Sequence, residues 1–217
     1  VGIDIDVAAA LAERLGLTLE LVDVKPADIP AALEKKQIDV ALGGVPIVDA
    51  VVAGVTPAGS YVADGGGLFS LATSGTPETT PTAPTSFGGL KVGCQKESAA
   101  FWKLESDYGE GYATAYDSLA EAFDALEAGE VDLVAADAIV GSYIARDHPD
   151  VRFLGQYGEA SALGVLVAPD SAELEDVVRE SLDALAAEGV LDAIRTKWVG
   201  NLPALEVAGS AETTTTP

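Results

Sequence analysis

The chain has 217 residues, 48% hydrophobic and 22% charged, which suits one or two domains. Asp and Glu number 35 and Lys and Arg 12, a net charge of −23. That charge repels phosphate backbones and anionic lipid, and so excludes a nucleic-acid binder or a basic membrane-surface protein. A single cysteine, Cys94, excludes an internal disulfide, and a single histidine, His148, excludes a His-rich metal site or a zinc cluster. No apolar run reaches the ~18 residues of a membrane-spanning helix.

Helical and strand periodicities alternate along the chain. Residues 7–15 (VAAALAERL) predict an amphipathic helix with Gly16 as its C-cap, and 17–24 (LTLELVDV) alternate as a strand. A second helix is expected over 28–36, with Asp28 as N-cap and Pro30 in its first turn, then a short strand at 38–42 that ends at Gly43 and Gly44. Residues 65–72 (GGGLFSLA) read as a strand or a hinge. Residues 73–86 break the pattern with Pro77, Pro81 and Pro84 among Thr and Ser, and are expected to be an exposed connector.

Beyond the connector, 90–94 is a strand and Ser98 is placed to cap a helix over 99–106. The segment 118–128 is a strong helix, with Ser118 and Glu121 spaced as a capping box. A strand over 131–136 ends at Asp137 and a helix follows over 138–146. Short strands at 151–154 and 163–168 precede helices at 171–187 and 190–198, broken at Gly189. Cys94 is read as a buried inert thiol, Trp102 as a core residue or, one turn past Ser98, a residue lining a cleft, and His148 as a solvent-exposed loop residue. Ala208–Pro217 has too little apolar surface to order and reads as a tail or linker. Such alternation predicts an α/β protein with parallel sheets flanked by helices.

Residues 32–44 (ALEKKQIDVALGG) and 125–137 (ALEAGEVDLVAAD) echo one another at an offset of 93. Each predicts a helix, a tight turn and a strand, so the echo implies two lobes of similar topology. It sets Gly44 and Asp137 in equivalent places, at the C-terminal edge of a parallel strand, where open α/β sheets bind ligands.

An ordered set of segments carries a family resemblance: GIDIDVAAALAERLGL (2–17), IPAALEKKQIDVALGG (29–44), GGLKVGCQKES (88–98), AYDSLAEAFDALEAGEVDLVAAD (115–137) and LAAEGVLDAIRTKWVG (185–200). Together they resemble the extracytoplasmic solute-binding proteins of family 3, which serve polar amino-acid ABC importers. The resemblance implies a two-lobed, type II periplasmic-binding-protein fold, each lobe a mostly parallel sheet flanked by helices and joined by two hinge strands. Lobe 1 would be residues 1–69 and 165–203, lobe 2 residues 70–164, and 204–217 a tail or linker. The family's first strand would precede Val1, so a longer chain with a signal peptide or lipid anchor is expected. It also implies a monomer that binds a small polar solute by lobe closure and presents it to a membrane permease, with no cofactor, no metal and no catalysis.

The resemblance assigns ligand contacts to Gly44 and Val45, to Asp137 as the acid for a ligand amino group, to Ser98 as a hydroxyl at a helix N-terminus and to Gln95 as a cleft side chain. Lys25 falls near the family's aromatic position and is a candidate replacement cation. Asp137 and Ser98 also read as plain helix caps, and Lys25 as a solvated surface residue. The family's carboxylate-gripping Arg is Val51 here, and its Thr is Pro46. Lys does not reproduce a guanidinium fork, so a standard α-amino-acid grip is altered. A solute carrying an amine is favoured, and a sensory or scaffold module of the same fold is the alternative. An enzyme finds no support, because no matched carboxylate pair is evident and the one His sits outside any catalytic pattern.

Overall fold

The computed structural model describes residues 1–52, 54–72 and 87–207, so the expected connector 73–86 and tail 208–217 lie outside the described residues. The helices are α1 (Ile3–Leu15), α2 (Ile29–Glu34), α3 (Ile47–Val52), α4 (Ala99–Tyr108), α5 (Leu119–Glu127), α6 (Ala138–Ile144), α7 (Ala172–Ala187) and α8 (Val190–Val199). The strands are β1 (Val40–Ala41), β2 (Thr56–Leu71), β3 (Val92–Gln95), β4 (Ala113–Tyr116), β5 (Leu133–Asp137) and β6 (Val151–Val167). This is the two-lobed α/β fold expected from the sequence. The chain divides into one unit of Val1–Ala63 with Ser161–Trp198, and another of Asp64–Ala160 with the residues from Val199 on. The long strands β2 and β6 each run from one unit into the other.

In the first unit, α1 buries Val7 and Leu11, and α7 buries Val178, Leu182 and Leu185. These spacings put each set on one helix face. They close over Ala58 and Tyr61 of β2 and over Leu163, Val165 and Val167 of β6, which alternate as a strand requires. β1 pairs antiparallel with β6, Val40 opposite Val167 and Ala41 opposite Leu166. The parallel strand end expected before Gly44 is therefore an antiparallel one that stops at Ala41. At one end of α1, Asp6 accepts hydrogen bonds of 2.7 Å from the Lys197 ammonium and the Trp198 indole, both of α8. Those bonds, from Lys197 first and then Trp198, hold the Asp6 carboxyl below its usual range.

In the second unit, β3 runs parallel to both β4 and β5, and β2 pairs antiparallel with β5. Neighbouring side chains go to opposite faces. Phe69 and Val134 join Phe123 and Leu126 of α5, while Leu68, Leu133 and Ala135 join Phe87, Cys94 and Leu104 of α4. Cys94 is fully buried and burial pushes its thiol up to about 11, so it is the inert thiol expected. Ser118 Oγ accepts from Glu121 N at 3.2 Å, and Glu121 Oε2 accepts from Asp117 N at 3.2 Å. The expected capping box thus forms, with its return bond one residue earlier than the usual pattern.

Gly65, Gly66 and Gly67 stand in a strand interior, which glycine normally weakens. A Cβ at Gly65 would lie 2.7 Å from Ala160 Cα, one at Gly66 2.2 Å from the Tyr157 carbonyl oxygen, and one at Gly67 2.8 Å from the Phe153 ring. Only a bare backbone lets β2 approach β6 this closely.

Several expectations change. Residues 17–24 alternate but form no strand, and Leu17 and Leu21 are 63% and 61% exposed. Among the described residues they have no ladder partner, and alternation without one does not make a strand. The expected strands at 151–154 and 163–168 are the two ends of one strand, β6. The helices α3 and strand β4 were not foreseen. Trp102 is 60% exposed rather than packed in the core, and His148 is 9% exposed rather than solvated. Residues 204–207 are held by Gln156, whose amide donates to Glu206 O and accepts from Glu206 N, and Val207 bridges to Ala160.

The 93-residue echo reaches backbone detail. Gln37 N donates to Ala32 O at 2.9 Å, and Glu130 N to Ala125 O at 2.9 Å; Lys36 N and Gly129 N donate to Leu33 O and Leu126 O at 3.0 and 3.1 Å. Both helices thus end in the same Schellman geometry. The left-handed residue is Gly129 (φ 72°) in one copy and Lys36 (φ 55°) in the other, so the Lys carries a Cβ penalty that the Gly does not. Lys36→Gly is expected to stabilise the protein by about 0.5–1 kcal/mol, read as a higher urea midpoint at unchanged m-value; a lower midpoint contradicts the assignment.

Candidate functional site

In the first unit, the chain leaves β1 through Gly43 and Gly44. Gly44 has φ 68°, a left-handed conformation that favours glycine. Its N–H donates to Tyr61 Oη at 3.3 Å, and the Tyr61 hydroxyl donates in turn to the Asp4 carboxylate through a short bond. Burial, and then the bond to Asp4, push the phenol far above its ordinary range, so it stays protonated and donates. Val45 follows, partly buried against Ile29, Leu33 and Leu166, and its carbonyl accepts from Gly164 N at 3.2 Å.

This loop borders a cavity of about 340 Å³ lined by Gly44, Val45 and Pro46 above the buried Ile29, Val55 and Leu166. Asp49 of α3 is the charged residue among the described residues that line it. Pro46 offers neither a hydroxyl nor an N–H here. Val51 falls within α3. Lys25 is exposed, at the N-cap of a 3-10 turn formed by Pro26–Asp28, and is not among the lining residues.

In the second unit, β3 and β5 are parallel, so Gln95 and Asp137 end their strands at one edge, and α4 and α6 begin beyond it. Ligands of α/β sheets gather at such an edge. Gln95 is exposed. Ser98 Oγ accepts from Phe101 N at 3.1 Å and caps α4. Trp102 stands one turn on, its ring edge-on to Phe101 at 4.9 Å.

Asp137 occupies the N-cap position of α6, but its side chain makes no capping bond. That work is done by Asp64, whose Oδ1 accepts from Ile139 N at 3.1 Å and from Gly65 N at 2.8 Å. The capping alternative for Asp137 is therefore not realised, and its carboxylate is left for another use. Desolvation raises the pKa of both acids; for Asp64 the nearby Asp137 charge raises it further. Two carboxylates at one helix start, Asp64 half-buried and Asp137 exposed, favour a positive charge beside them. Sequence reasoning missed Asp64 because a cap 75 residues from its helix leaves no local signal. The glycine run after it was the one hint of something unusual there.

Residues 1–201 match the bacterial extracellular solute-binding proteins, family 3. The chain belongs to that family. The L-cystine-binding protein TcyJ of Escherichia coli K12 is 24% identical over 203 residues, 92% of this chain and 74% of that protein. The fold is shared with a polar amino acid ABC uptake transporter substrate-binding protein from Streptococcus thermophilus, at TM-score 0.80 and 19% identity over 94% of this chain and 79% of that one. An ancestral arginine-binding protein solved with arginine is 28% identical over 92% of this chain and 88% of that one, at TM-score 0.58. This solute-binding protein works outside the cytoplasm. Among the described residues, no helix is long and apolar enough to cross a membrane.

Two predictions follow from the geometry of the solute-binding protein. Tyr61→Phe removes the donor to Asp4 and the acceptor for Gly44 N. It is expected to cost about 1–3 kcal/mol, read by urea denaturation; an unchanged stability refutes the bridge. For Asp64, the native state holds its proton more tightly than the unfolded chain, so wild-type stability falls as pH rises from about the ordinary value of 3.8 through the raised native pKa. Asp64→Asn keeps an Oδ1 acceptor for Ile139 N and loses that fall. The variant is expected to gain on wild type as pH rises from 4 to 7, measured by denaturation across that range.

Proposed function

We propose that this protein is the receptor component of an ABC importer and binds an amino-acid-like solute bearing an amine, with a membrane permease as its partner. The observation that carries the reading is Asp137: family position, strand-end placement, an exposed carboxylate and no capping role to occupy it. In this reading the solute draws contacts from each unit, and residues 1–69 with 165–203 and residues 70–164 act as the two lobes that close on it. The first unit supplies the backbone around Gly44 and Val45. The second supplies Asp137, with Gln95 and Ser98 at the same sheet edge. Relatives named for cystine, arginine and polar amino acids support the class. Asp64 beside Asp137, and no basic residue among the described lining of the cavity, point toward a cationic or amine-rich member of it.

Val51 and Pro46 in place of the family's Arg and Thr favour a second reading, a sensory or scaffold module that has left amino-acid binding behind. Calorimetry and thermal shift with L-arginine, L-lysine, L-cystine, L-glutamine and putrescine separate the two. A ligand at 100 times its Kd stabilises by about 2.7 kcal/mol, several degrees in Tm. The expected result is a selective hit among the cationic compounds, weakened at least tenfold by Asp137→Asn. Binding that survives Asp137→Asn unchanged removes Asp137 from the site, and no hit from a folded sample supports the second reading.

A further inference from the structure

His148 lies outside the candidate solute site, on the α5 side of the second unit. Its ring is nearly buried, with the side chain 11% exposed. It is fixed by the edge of Phe123 at 5.4 Å and by backbone bonds from His148 N to Ala145 O and from Val151 N to His148 O, at 3.0 and 2.9 Å. That packing aims Nδ1 at two carboxylates one turn apart on α5: Glu127 Oε2 at 3.1 Å and Asp124 Oδ1 at 3.9 Å. One ligand atom from each of the three residues lies within 4.8 Å of the other two.

We propose that Asp124, Glu127 and His148 form a binding site for a divalent first-row transition ion of the Zn²⁺ type, tying α5 to the turn that leads into β6. Imidazole nitrogen and carboxylate oxygen bind Zn²⁺ at about 2.0–2.2 Å, which separates adjacent ligand atoms by about 3.0–3.5 Å. The Nδ1–Glu127 distance already meets that span. The Asp124 oxygen lies 3.9 Å from Nδ1 and its side chain is 72% exposed, so binding requires that side chain to turn toward the ring. A plain His–Glu pair accounts for the first distance but gives Asp124 no part. A nitrogen donor with two oxygens suits Zn²⁺, whereas Ca²⁺ takes six to eight oxygens. The composition excluded His-rich and thiolate zinc sites; this site needs one histidine and takes its other ligands from the acidic surplus.

The test uses the full chain stripped of metal by chelation, titrated with ZnCl2 and separately with CaCl2 and MgCl2. The single histidine gives one set of imidazole resonances, so the ¹H–¹⁵N spectrum reads the site directly. Expected are one Zn²⁺ per chain by calorimetry, a shift of the imidazole Nδ1 resonance at saturation, a higher Tm with Zn²⁺ than with Ca²⁺ or Mg²⁺, and loss of binding in His148→Gln. Asp124→Asn, at an exposed position, keeps the fold and is expected to weaken Zn²⁺ about tenfold. An unmoved imidazole resonance in the wild type, equal effects of Ca²⁺ and Zn²⁺, or full affinity in Asp124→Asn overturns the proposal. If His148→Gln does not fold, the wild-type spectrum and Asp124→Asn decide the matter.

Discussion

Between Gly66 of β2 and the carbonyl of Tyr157 in β6 there is no room for a methyl group: a Cβ would sit 2.2 Å from that oxygen. Much of the second unit depends on this approach. It brings β2 into the sheet beside β5, with Gly66 opposite Asp137. It sets Asp64, just before the glycines, within reach of Ile139 N at the start of α6. It also places Phe69 so that its ring fills the space over Gly141, where a Cβ would come within 2.4 Å. Three side-chain-free positions thereby organise a sheet register, a helix start and the surroundings of the acid that the solute reading rests on. The conformational entropy that glycine loses in a strand is offset by a contact that no other residue permits.

The acidic surplus has a structural side. With 12 basic residues for 35 acids, most carboxylates cannot be paired with a cation. Several serve backbone N–H groups instead. Glu105 accepts from Gly111 N and Ala113 N, which lowers its pKa; Asp132 accepts from Lys91 N; and Asp64 caps α6. Others take side-chain hydroxyls, as Asp107 does from Tyr157 and Asp4 from Tyr61. Hydrogen bonds to a charged acceptor are the stronger kind, so these acids hold loops and strand ends in place. The surplus that ruled out nucleic acid thus also stabilises turns and strand ends.

The repeat of helix, Schellman turn and strand at an offset of 93 residues shows how far local sequence reaches. Both copies keep the turn bonds, although one places Lys36 where the other has Gly129. Beyond the turn the copies diverge. The second leads into β5, which pairs with neighbours on both sides, while the first leads into β1, two residues long and antiparallel to β6. Backbone geometry within a few residues is set by those residues. Strand direction is set by partners that lie far along the chain.

The sequence by itself determined the helices with caps and one apolar face, the α/β class, the family and the acidic character. Each is written in spacings of three, four or two residues, or in composition. It also named Asp137, Ser98 and Gly44 as candidates. Tertiary structure decided that Asp137 does no capping because Asp64 does it, that Tyr61 bridges Asp4 to Gly44, and that His148 is buried facing Glu127 and Asp124. It left residues 17–24 without a ladder despite their alternation, and it joined two short strand signals into β6. These outcomes depend on which groups meet across 17, 57 or 75 residues of chain. Burial and hydrogen-bond partners at that range are set by packing, which local periodicity does not encode.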